Sequence, residues 1–170
     1  DARLVARLGD MDVREYVRAT FIPLINLKTK EEQKRVPQGL PYSLSNWKPF
    51  QVTSSERNSV FPAERTMFNL VPCNRNLEYS FATFVNLADD VLAFAKNSGP
   101  QCLRIDYEAS NHRRAFYTPD FIVRVNSGKY YLVETKGEME QEVAAKARAA
   151  VAWCGSASKA GAEWEYLFVP

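Results

Sequence analysis

Two apolar runs, Phe121 to Val125 and Tyr130 to Val133, stand on either side of Asn126-Ser127-Gly128. The runs are rich in β-branched and aromatic residues, and Asn126, Ser127 and Gly128 between them are turn formers. Gly128 is free to adopt the positive φ that a three-residue hairpin loop needs. The pattern predicts a hairpin of two strands, Arg114–Val125 and Lys129–Lys136. If the turn pivots on Ser127, Val125 faces Lys129, and opposed residues have numbers adding to 254. Asp120 then stands across from Glu134, with Cβ atoms about 4.5–5.5 Å apart. Side chains alternate along a strand, so Lys136 shares the face of Glu134.

Two carboxylates and an amine on one patch of sheet need a reason. Like charges placed opposite each other are destabilising, and a divalent cation between them reverses that. Hard oxygen donors suit Mg²⁺, with Mn²⁺ able to substitute. Such an ion polarises a phosphodiester and lowers the pKa of a bound water. Lys136 would position or deprotonate that water, or neutralise charge developing on the phosphate. Removing Asp120 should accordingly relieve repulsion and stabilise the metal-free chain. The apolar text Tyr130–Val133 runs abruptly into Glu134-Thr135-Lys136-Gly137, as strand ends at ligand sites do. Pro119 removes a ladder donor just before Asp120 and predicts a frayed or bulged strand there. A surface salt bridge on a strand pair is the plainer alternative. The spacing that registers Asp120 with Glu134, with Lys136 two residues on, favours a site.

Around the hairpin the pattern is mixed α/β. A first helix is expected up to about Val36, on Val13, Tyr16, Val17, Phe21, Leu24 and Ile25, interrupted by Pro23. Lys28, Lys30, Lys34 and Arg35 alternate with Glu31 and Glu32 there, as a basic contact surface or a solvated helix face. Pro37 to Pro72 reads as proline-punctuated loop with short strands at Phe50–Thr53 and Met67–Val71, its aromatics packing on something. A helix over 74–96, N-capped by Asn74 or Asn76, carries one apolar stripe from Leu77 to Ala95 and ends at Ser98-Gly99-Pro100. Strands at 101–108, 114–125 and 129–136 follow, then a helix over 138–154 with an acidic first turn, and a last strand at 163–169.

Composition narrows the class. In 170 residues, 46% hydrophobic and 25% charged, a sizeable core is available and wholesale disorder is excluded. A net charge of +2 argues neither for nor against nucleic acid, since a local basic groove matters more. Cys73, Cys102 and Cys154 are odd in number and widely spaced, which reads as a reduced, cytoplasmic protein. With His112 as the one histidine, a zinc site of ordinary spacing is ruled against. No apolar run reaches membrane-spanning length. The chain begins Asp1-Ala-Arg and its first methionine is Met11, so it reads as a fragment of a longer protein or a processed or tagged piece.

Pro119-Asp120, fourteen residues on to Glu134, then Glu134-Thr135-Lys136, resembles the PD-(D/E)XK nuclease signature. The longer text from Phe116 to Arg124, Leu132 to Gly137, Lys146-Ala147 and Ala152-Trp153-Cys154 resembles the C-terminal endonuclease domains of type III restriction enzyme subunits and related helicase–nucleases. Trp47 to Val52 is similar to text just upstream of those domains. The resemblance implies a restriction-endonuclease-like core (αβββαβ, a mixed central sheet flanked by helices) over residues 49–170, preceded by an N-terminal helical extension, 1–48. It implies a Mg²⁺-dependent endonuclease acting on DNA, in restriction or defence. Asp120, Glu134 and the main-chain carbonyl of Thr135 would hold the metal, with Lys136 as the catalytic lysine. The alternative is a catalytically silent nucleic-acid-binding module of the same fold. Any helicase or ATPase lies upstream in the parent protein: Gly128-Lys129 is the one Gly-Lys pair here and lacks the rest of a P-loop.

Further candidates carry two readings each. Glu78 is the extra acidic ligand the superfamily often places on its first helix, or an acid favoured at a helix start. Lys146 borders the buried stripe of its helix, as a phosphate contact or a snorkelling lysine. Arg113 and Arg114, with His112, sit in a turn as DNA contacts or as a solvated loop.

Overall fold

The computed structural model describes residues 10–33, 43–55, 58–109, 114–136 and 142–170. Two units are distinguished, Asp1–Pro41 with Glu108–Ala115, and Tyr42–Tyr107 with Phe116–Pro170. In the first, helix α1 (Met11–Gln33) runs straight through Pro23 rather than stopping there. Lys34 and Arg35 lie outside the described residues.

The second unit is mixed α/β. Its elements are strands β1 (Ser59–Pro62) and β2 (Leu70–Cys73), helix α2 (Asn76–Leu87), strand β3 (Val91–Lys96), then β6 (Phe121–Val125) and β7 (Tyr130–Thr135), helix α3 (Val143–Ser158) and strand β8 (Trp164–Val169). Strands β4 (Ile105–Glu108) and β5 (Arg114–Tyr117) form a two-stranded sheet of their own among the described residues. The main sheet has the order β3-β6-β7-β8, with β3, β6 and β7 antiparallel and β8 parallel to β7.

The central hairpin forms as its turn residues dictate. Gly128 takes φ +87°, the Gly128 N–H donates to Val125 O at 2.9 Å, and the Val125 N–H donates to Lys129 O at 3.0 Å. Phe121 pairs with Val133 and Arg124 with Tyr130, the register adding to 254. Odd-numbered residues of β7 and their sheet neighbours turn to one face, where Phe94, Phe121, Val123 and Val133 form the core with Phe81, Ala82 and Val85 of α2. The other face carries Tyr130 stacked on Trp164 at 4.7 Å, with Trp153 of α3 edge-on to Trp164. The sheet is thus covered by α2 on one side and α3 on the other.

Four expectations are corrected. Helix α2 ends at Leu87, and the rest of its apolar stripe is strand β3. Val91 to Ala95 is a short apolar run that fits either period, and distant residues decide. The Arg65 guanidinium donates to Ala88 O and, at 2.8 Å, to Val91 O, so the carbonyls at the helix end find partners. The first strand of the main sheet is therefore 91–96, not 101–108. Second, 114–125 is two strands broken at Thr118-Pro119-Asp120. Third, α2 has Arg75 as its N-cap with no side-chain cap, and Glu78 instead accepts the Asn74 N–H at 2.9 Å, much as the glutamate of a capping box does. Fourth, Phe50–Thr53 is irregular, and strands form at 59–62 and 70–73. The aromatics of that segment do pack, with Trp47 buried and Phe50 edge-on to Phe68 at 5.6 Å. Helix α3 begins at Val143, with Glu142 as its N-cap and no acid in its first turn, and runs four residues past Cys154; Glu138 and Glu140 lie outside the described residues. Among the described residues no helix is long and apolar enough to cross a membrane.

Candidate functional site

The Pro119 ring is fully buried, and with no N–H to give, the chain re-enters the ladder one residue late. The Asp120 N–H donates to Val133 O at 2.9 Å, although Val133 is the register partner of Phe121. This one-residue slip is the irregularity that Pro119 predicts, and it changes where Asp120 looks. Its carboxylate does not simply stand across from Glu134. Oδ2 accepts both the main-chain N–H and the hydroxyl of Thr135, each at 2.8 Å, and Oδ1 accepts from Lys96 Nζ at 2.9 Å. Thr135 and Lys96 lie on the α2 face of the sheet, so Asp120 straddles the sheet end. A carboxylate offers about four acceptor sites. Among the described residues three are used, which leaves one on Oδ1.

A buried clamp fixes the loop. Asn97, 3% exposed, donates its main-chain N–H to Asp120 O and its amide to Pro119 O, both at 2.8 Å. The same side chain accepts the Leu103 N–H at 2.7 Å.

Glu134 lies on the α3 face of β7. Its Oε2 is buried and, among the described residues, has no hydrogen-bond partner. Burial first, and then the negative charge of Asp120, push its carboxyl from an ordinary 4.5 to about 7, against the opposing pull of Lys136, Lys146 and Lys96. The two carboxylates are therefore electrostatically coupled, with three lysines in range. Lys136 follows β7 directly, and its N–H continues the parallel ladder to Val169 O at 2.9 Å. Main-chain groups of β7 alternate between neighbours: Val133 and Thr135 address Asp120, and Lys136 addresses β8. The N–H and C=O of an extended residue leave the same edge, so the Thr135 carbonyl emerges on the Asp120 side.

The remaining candidates are placed as follows. Glu78 is buried and forms an ion pair with Lys96 at 2.8 Å. Lys146, half-buried on α3, lies over the Tyr107 ring at 5.8 Å, and its charge reaches Glu134. Arg114 opens β5 and belongs to the first unit. Arg113 and His112 lie outside the described residues.

Four residues of this region were not legible as such. Lys96 falls at the end of the helix expected over 74–96, although Val91 to Ala95 is, like Tyr130 to Val133, a short apolar run with a lysine close behind it. Asn97 left no signal. Tyr117 and Tyr166 are not singled out by the sequence, yet both feel Glu134 and Asp120. Burial raises the Tyr117 phenol far above its ordinary range, and its hydroxyl has no partner among the described residues. Burial and Glu134 push Tyr166 up to about 12.

Among the described residues no group of three or more His, Cys, Asp or Glu is placed to hold a metal ion. The donor set on offer is two carboxylates, Asp120 and Glu134, with the Thr135 carbonyl. It fits a hard divalent cation in one respect that matters: a buried carboxylate oxygen without a partner, beside a second carboxylate, is short of positive charge. No family model matches the chain, and no curated protein matches it by sequence.

Proposed function

We propose that this chain is a Mg²⁺-dependent endonuclease domain of the PD-(D/E)XK kind, hydrolysing DNA phosphodiester bonds. The observation that carries the reading is Glu134 Oε2, buried without a partner among the described residues and within the electrostatic reach of Asp120, Lys136, Lys146 and Lys96. The element order also supports it: α2, the antiparallel β3-β6-β7, α3, and β8 parallel to β7 follow the αβββαβ order of a restriction-endonuclease-like core. The β4–β5 pair is then an insertion.

Asp120, Glu134 and the Thr135 carbonyl would hold the ion, which when bound supplies a Lewis acid and an acidified water. The chain itself does the rest. Thr135 and Asn97 hold Asp120 in place. Lys136 orients the attacking water or neutralises charge on the phosphate. Lys146 contacts a backbone phosphate, and Arg113 and Arg114 are further candidates for such contacts. The domain is the nuclease part of a larger cytoplasmic helicase–nuclease acting in restriction or defence. A silent DNA-binding module of this fold is the second reading, and the orphan oxygen of Glu134 favours the enzyme, because a module without an ion gains nothing from it.

The test is incubation of plasmid DNA with the chain, with and without Mg²⁺ or Mn²⁺. Ion-dependent nicking or linearisation, lost on Glu134→Gln, is expected. Ion-independent DNA binding with no cleavage would select the silent module.

A further inference from the structure

Glu78 on α2 and Asp120 just before β6 both end on one ammonium. Lys96 Nζ is 2.8 Å from Glu78 Oε2 and 2.9 Å from Asp120 Oδ1, and Lys96 is 7% exposed. The Phe121 ring lies beneath it, 4.6 Å from Nζ to the centroid. Glu78 is itself 5% exposed and also accepts the Asn74 N–H. Two acids brought this close out of water demand a cation, and here the chain provides one on a tether. A lysine suits the place as a compact point charge.

We propose that Lys96 is a built-in cation that does the work of a second metal ion: it binds Glu78 and Asp120 together, withdraws Glu78 from metal binding and limits the site to one divalent ion. This rests on the nuclease reading for its first ion. The three acids near the sheet end are divided by it. Glu78 and Asp120 share one ammonium from within, and Glu134 alone of the three keeps a buried oxygen without a partner among the described residues. An acid at the start of α2 is therefore a holder of Lys96 and, through it, of Asp120. Lys96 and Glu78 are positioning residues, since neither is placed to touch the reacting phosphate.

Replacing the ammonium by a neutral side chain of similar length frees the two acids for an external ion. Lys96→Met should bind one Mn²⁺ more than the wild-type chain by titration calorimetry, two per chain instead of one. Its electron paramagnetic resonance spectrum should show an exchange-coupled pair where the wild type shows an isolated ion. The double variant Glu78→Gln/Lys96→Met, in which one acid is gone as well, should return to one. An unchanged ion count and an uncoupled spectrum on Lys96→Met would overturn the proposal. If Lys96→Met does not fold in chelator, refolding with Mn²⁺ should restore a cooperative melt; failure to recover while the double variant folds would equally overturn it. The readout is the ion gained. Were the wild type to bind none, the nuclease reading would fall, while one ion appearing on Lys96→Met would still support the role given to Lys96, and none would end it.

Discussion

Thr135 gives Asp120 Oδ2 two hydrogen bonds at once, from its main-chain N–H and from its hydroxyl, each at 2.8 Å. Thr135 therefore aims the Asp120 carboxylate, and with 6% of its surface exposed it does so out of reach of competing water. Thr135→Val keeps the shape and the N–H but loses the hydroxyl. Hydrogen bonds to charged groups contribute about 1.5–3 kcal/mol, and groups that orient metal ligands typically shift affinity by about 10–100-fold. Urea unfolding should show a loss in that range, and Mn²⁺ calorimetry a weakening of that order. Wild-type Mn²⁺ affinity in Thr135→Val would remove Thr135 from the site.

Glu134 makes the metal-free protein sensitive to pH. Its carboxyl sits at about 7 when folded against an ordinary 4.5, through burial and then Asp120. The folded chain thus holds this proton more tightly than the unfolded chain. Stability contributed this way is fully present below about pH 4.5 and is lost as pH rises through about 7. In chelator, the melting temperature should fall by a few degrees across that window. Glu134→Gln should flatten the fall, and saturating Mn²⁺ should flatten it too, because an ion competes with the proton for the same oxygen. A wild-type slope that persists unchanged in Glu134→Gln would assign the titration elsewhere.

Gly99 and Gly128 share φ +87° and differ in surroundings. A Cβ at Gly99 would lie 2.6 Å from Phe50 Cε1, whereas one at Gly128 would meet nothing within 4 Å. Gly128→Ala should cost about 1–2 kcal/mol, the strain of the left-handed region alone. Gly99→Ala should cost more, since the Phe50 ring must move as well. Equal losses on denaturation would mean that Phe50 gives way freely.

The hairpin and its register were legible because every signal there is local. Two strands, a glycine turn and an alternating pattern over Arg114 to Lys136 leave one pairing that buries one face. Proline at 119 even announced the slip at Asp120. What local text could not show is what reaches in from elsewhere. Arg65 caps the Ala88 and Val91 carbonyls where helix gives way to strand, and the pairing of Ala95 with Ile122 gives the strand a core position. A helix over 74–96 keeps Lys96 away from Asp120, whereas the strand sets it beside Asp120 and gives Glu78 a lysine partner.

That hidden lysine reverses one expectation. With Asp120 opposing Glu134 alone, Asp120→Ala should stabilise the metal-free chain. In the structure Asp120 satisfies Lys96 and both donors of Thr135, so removing it leaves buried donors unpaired, at a cost of about 1–3 kcal/mol that outweighs the relief felt by Glu134. Asp120→Ala should therefore melt lower than wild type in chelator, fail to bind Mn²⁺ at its wild-type affinity and fail to cut. Lys136→Ala should part company with it on every count but the last. The amine is no ligand, so Mn²⁺ binding by calorimetry should persist, and so should DNA binding and the melt. Losing a group that transfers a proton or steadies charge on the phosphate typically costs about 10²–10⁴ in rate, and plasmid cleavage should drop by that much. If Lys136→Ala instead cuts as fast as wild type, the amine has no part in the chemistry and the cleaving site lies elsewhere.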